Sequence, residues 1–190
     1  MIQIPGIKYG VKNVVALATL NSAIENNVPQ IEEAGIRSLD DQAEFLNHCL
    51  SAWFDATGRR EEIDGPGELD PDNVAYQGRV IVSFMALIPA CLLAIKRAKK
   101  DPLSEKVVPQ LTSYLKDVMQ RGGLLQNQKF LTRSKFQERG FLGSGGIARL
   151  RDILWASAIG EESVSRFGDD RIQKLASDNR AKVHAALAPR

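Results

Sequence analysis

From Val80 to Ile95 the chain carries an apolar run interrupted only by Ser83 and Pro89, and this run has to lie at the centre of whatever the chain builds. As one helix it would span about 24 Å, short of the ~30 Å hydrocarbon core of a bilayer. Arg79 bounds it on one side and the cluster Lys96, Arg97, Lys99, Lys100 on the other. A helix that is apolar on every face belongs in a protein interior. The sequence therefore predicts a long, buried central helix, kinked or divided at Pro89, whose ring removes a backbone donor and crowds the preceding turn. Asp70 followed by Pro71 reads as its N-cap and first turn, so the helix is expected to continue from there to Lys100.

Amphipathic segments are available to cover it. Leu39, Ala43, Leu46, Leu50 and Trp53 recur every three or four residues, with Phe45, Cys49 and Phe54 widening the stripe. Ser38 precedes them as an N-cap, acidic Asp40 and Asp41 suit the first turn, and the helix is expected to end near Gly58. A shorter periodic segment covers Val11 to about Asn26 and stops before Val28-Pro29, with a loop expected to about Arg37. Pro109 opens a further helix lined by Leu111, Leu115, Val118 and Met119 and ended by Gly122-Gly123. Stripes at Ile147, Leu150, Leu154 and Ala158, and at Ile172, Leu175, Ala176, Val183 and Leu187, predict two more. Residues 58–70 contain Gly65-Pro66-Gly67 and read as an exposed acidic loop, and 124–146 as short helical turns and loops.

No apolar/polar alternation bounded by hairpin turns stands out, so the expected fold class is all-α, a compact bundle of six to eight helices. The 190 residues are expected to form one helical domain, large enough to bury roughly 70% of its unfolded surface without metal or disulfide. Cys49 and Cys91 have neither disulfide-framework nor zinc-ligand spacing. With reduced cysteines and no signal-peptide pattern at the N-terminus, a cytoplasmic or other intracellular location is expected, with membrane association disfavoured.

The net charge of +2 conceals a strong polarity. Residues 1–95 carry 6 Lys+Arg against 13 Asp+Glu, whereas residues 96–190 carry 19 against 10. Between Lys96 and Arg151 stand 13 cations and only four acids, Asp101, Glu105, Asp117 and Glu138. Within this segment Lys129, Arg133, Lys135 and Arg139 interleave with Phe130, Phe136 and Phe141. Cations that displace counterions from phosphates, beside aromatic faces that stack on unpaired bases, are what a single-stranded nucleic acid requires of a binding surface. The alternative is ordinary: the phenylalanines anchor the core and the cations form a solvated face. If helical, Lys129/Arg133 and Lys135/Arg139 would each be one turn apart.

A glycine-rich turn follows, and its Gly143, Ser144, Gly145 and Gly146 lead into a helix whose free N–H groups could cradle an anion. It lacks the Gly-Lys-Ser/Thr ending of a P-loop, and as a connector it needs no ligand. Arg149 and Arg151 lie about 200° apart on a helical wheel, so only one can face a given phosphate track. Arg149 is grouped with the candidate contacts, and one of the two arginines is expected in a surface ion pair.

The leading expectation is a largely sequence-independent nucleic-acid-binding or packaging protein, with Lys129, Arg133, Lys135, Arg139 and Arg149 on phosphates and Phe130 and Phe136 on bases. The acidic half could dock on the basic half of another copy and make a homo-oligomer. An adaptor or inhibitor that seizes an acidic protein surface by charge is the alternative. A small helical enzyme or metal protein using Glu61, Glu62, Asp64, Glu68, Asp70 and Asp72 is a weaker one, since their spacing does not match an EF-hand. His48 is expected on a polar face beside Glu44, and no catalytic motif or cofactor signature appears.

Overall fold

The computed structural model describes residues 17–58 and 72–188. The protein is mostly helical, at 66% helix. In chain order the elements are α1 (Leu17–Glu25), α2 (Val28–Glu33), α3 (Leu39–Ala56), α4 (Gly78–Met85), α5 (Ile88–Arg97) and α6 (Val107–Arg121). There follow β1 (Leu125–Gln126), β2 (Lys129–Phe130), α7 (Arg133–Glu138), α8 (Ser144–Ala158) and α9 (Asp169–Leu187).

The apolar run does not form one long kinked helix. It is divided into α4 and α5, whose axes differ by 47° across Ala86 and Leu87. Pro89 sits in the first turn of α5, where a missing N–H has no intrahelical acceptor to lose, so the chain accommodates it by starting a helix there. Nor does the first part start at Pro71: residues 72–77 are turns and an isolated bridge, while Asp70 and Pro71 lie outside the described residues. Among the described residues no single helix is long and apolar enough to cross a membrane.

Around this divided centre, α5 touches α2, α6 and α9, and α4 touches α1 and α8. Helix α3 lies along α6, and α8 along α9. Ser38 caps α3 through its hydroxyl, which accepts the Asp41 N–H at 3.1 Å. Two local elements depart from expectation. Helix α2 occupies part of the predicted loop, with Pro29 in its first turn rather than acting as a breaker. The hairpin β1–β2 turns on Asn127 and Gln128, both at positive φ (50° and 64°), the left-handed pair that a tight two-residue hairpin demands.

One contiguous core runs from Ala23 to Leu187. Through it passes a chain of rings: Phe84 stacks on Trp53 at 4.7 Å, Phe130 meets Trp53 edge-on at 5.4 Å, and Phe136 bridges Phe130 and Phe141. Face-offset and edge-on pairs of this kind add to the burial of each ring. His48 is buried rather than exposed, its Nδ1 lying 3.2 Å from the Pro102 carbonyl oxygen, because the segment after α5 folds over that side of α3.

Candidate functional site

The structure removes the aromatics from any binding surface. Phe130 is 1% exposed and Phe136 fully buried, so no base can reach either ring. Their burial follows from the hairpin, which places alternate residues on opposite faces: Lys129 points to solvent and Phe130 into the core. Of the two helical pairs expected in this stretch, Lys129/Arg133 is absent, since Lys129 is in β2 and Arg133 opens α7, whereas Arg139, the C-cap of α7, stands one turn from Lys135 and donates its N–H to that residue's carbonyl at 3.1 Å.

Three of the expected phosphate contacts have internal partners. Lys135 donates to Glu138 at 2.7 Å, and that hydrogen bond, with the lysine charge, holds the Glu138 carboxyl below its ordinary pKa. Arg139 is half-buried and donates to the carbonyls of Gly122 and Gly123, the acceptors left open where α6 ends. Burial, and then the charge of Arg149, lower the pKa of that guanidinium. Arg149 pairs with Asp169 at 2.9 Å, joining the first half of α8 to the acidic first turn of α9. Of the two arginines on α8, Arg149 is the one that forms a surface ion pair among the described residues.

Other cations are freer. Lys129 and Arg133 are exposed, with no ion-pair partner among the described residues, as are Arg97, Lys99 and Lys100 at and after the end of α5. The carbonyl end of a helix dipole favours positive charge there. The glycine turn divides in two. Gly143 and Gly145 face open space, but a Cβ on Gly146 would collide with the Gly140 carbonyl oxygen and the Phe141 backbone. Close approach of α8 to the preceding turn accounts for Gly146 without any anion.

A feature that sequence reading missed is a cleft of about 420 Å³ between α1, α2, α4, α5, α8 and α9. Arg151 and Trp155 reach it from α8, Arg180 and His184 from α9, and Gln30 from α2. Both helical pairs are spaced i, i+4, which puts each on a single helix face. Arg180 lies over the Trp155 ring at 5.3 Å from its centroid, and the His184 ring lies nearly parallel to Trp155 at 6.4 Å. No carboxylate is among the described lining residues, and neither Arg151 nor Arg180 has an ion-pair partner among the described residues. Gln30 Oε1 is buried, with no hydrogen-bond donor to it among the described residues.

Among the described residues no group of three or more His, Cys, Asp or Glu is placed to hold a metal ion, and the acidic segment 59–71 lies outside them. No family model, curated protein or solved structure matches the chain.

Proposed function

We propose that the chain binds the phosphate backbone of nucleic acids without reading their sequence. The observation that supports this reading is the charge left unmatched in the basic segment. Of the 13 cations between Lys96 and Arg151, only Lys135 and Arg149 meet a carboxylate at ion-pair distance among the described residues. Hydrogen bonds to backbone carbonyls, such as that from Lys96 to Ala186, leave the charge itself in place. A polyanion gains affinity from such a surface by releasing its condensed counterions.

The structure changes the kind of contact. With Phe130 and Phe136 in the core, stacking contributes nothing, and phosphate contact alone does not distinguish single strands from duplexes. Of the expected contacts, Lys129 and Arg133 remain exposed and without an ion-pair partner among the described residues, and they carry the site in this reading. The acidic first half of another copy would compete with the polymer for the same cations.

The test is the double reversal Lys129→Glu/Arg133→Glu, followed by fluorescence anisotropy with mixed-sequence oligonucleotides. Glu at the first residue of α7 suits the helix dipole, so the fold should survive. Affinity is expected to fall by about tenfold or more for single strands and duplexes alike. Unchanged affinity in a variant with an intact circular dichroism spectrum would overturn this placement.

A further inference from the structure

The geometry points to the cleft between α1, α2, α4, α5, α8 and α9 as a binding site for a small phosphomonoester. This inference does not rest on the polymer reading. Its essential residues are Arg180 and His184, neither of which lies in the segment from Lys96 to Arg151, together with Arg151.

The volume, about 420 Å³, falls within the range of about 300–1,000 Å³ that small-molecule sites occupy. The electrostatics select the ligand's charge. Two arginines without carboxylate partners among the described residues line a cleft that has no acidic residue in its described lining, which favours a dianion over a neutral or singly charged ligand. Guanidinium forks match the oxygens of a phosphate, and the His184 ring offers a further donor beside them. Arg180 is held over Trp155, so its approach is set before a ligand arrives.

Val82, Ala86, Pro89 and Ile147 line the same cleft and present apolar surface for the body of the molecule.

The experiment is isothermal titration calorimetry on the full chain with AMP, ribose 5-phosphate, adenosine and ribose. At least one of the two phosphomonoesters is expected to bind, and its unphosphorylated parent to bind at least about tenfold more weakly. Arg151→Gln, exposed and without an ion pair among the described residues, and Ala86→Leu, which fills the cleft, should each weaken binding by about tenfold at unchanged Tm. Lys129→Glu/Arg133→Glu should leave it unaltered, which separates this site from polymer binding. No heat with either phosphomonoester at about 1 mM, or adenosine binding as well as AMP, would overturn the assignment. So would full affinity in both Arg151→Gln and Ala86→Leu.

Discussion

The guanidinium of Arg149 donates to the backbone carbonyl of Arg139 at 3.0 Å, and both guanidiniums lie against the ring of Phe141, at 6.0 and 5.1 Å from its centroid. Two cations that sequence alone would aim at a ligand instead tie the end of α6, the end of α7 and α8 to one another. Removing Arg139 leaves two carbonyls at the end of α6 without their charged donor. Arg139→Ala should therefore cost about 2 kcal/mol, and Lys, lacking the fork, should not restore it. Arg149→Gln loses an exposed pair and should cost no more than about 1 kcal/mol. Urea denaturation of the three variants checks the order.

Neighbouring glycines at the start of α8 should respond in opposite directions. Gly146→Ala drives a methyl into the Gly140–Phe141 backbone and should destabilise by about 2–3 kcal/mol. Gly145→Ala meets open space and should stabilise by up to about 1 kcal/mol, because alanine restricts the unfolded chain and favours helix. At this chain length each kcal/mol moves Tm by about 2–4 °C, so a thermal melt resolves both signs.

Phe136 is a core residue, and its substitution should report as one. Phe136→Ala should cost about 3–5 kcal/mol, whereas Phe136→Leu, which keeps most of the volume, should keep the fold and leave oligonucleotide affinity unchanged. A loss of affinity in folded Phe136→Leu would restore the ring to the binding surface.

Alkaline pH should weaken the fold through Tyr114. Burial pushes its hydroxyl pKa up, and the hydroxyl donates to the Ala158 carbonyl at 3.0 Å. The folded state keeps this proton where the unfolded chain releases it. The stabilisation is thus complete below about pH 10, the unfolded tyrosine value, and is lost as pH rises beyond it. Burial raises the Cys49 thiol likewise, so its contribution declines in the same direction from about pH 8.5. Tyr114→Phe should lose about 1 kcal/mol at neutral pH and flatten the decline of Tm above pH 10.

Helices α3, α6, α8 and α9 were legible because each buries one side, and the burial leaves a period of three or four in the sequence. The division of the central run was not, since a segment apolar on every side carries no period in which a break would show. Helix α2 was hidden because Pro29 serves equally as a breaker and as a first-turn residue. The hairpin was hidden because strands of two residues cannot alternate visibly. At the site, the cations could be counted but not their partners: Asp169, which takes Arg149, stands twenty residues away. The cleft draws on residues from Ala23 to His184, so no local window contains it. Its only sequence traces are the spacings Arg151–Trp155 and Arg180–His184, which any amphipathic helix can show.

The central claim is that unmatched cations of the segment from Lys96 to Arg151 bind polymer phosphates. The most direct measurement is the oligonucleotide association constant as a function of salt concentration, for the natural chain and for Lys129→Glu/Arg133→Glu. The account predicts a log–log slope of about −3 or steeper for the natural chain, shallower by about 2 in the variant. Binding that is absent at low salt, or that is indifferent to salt, would contradict it.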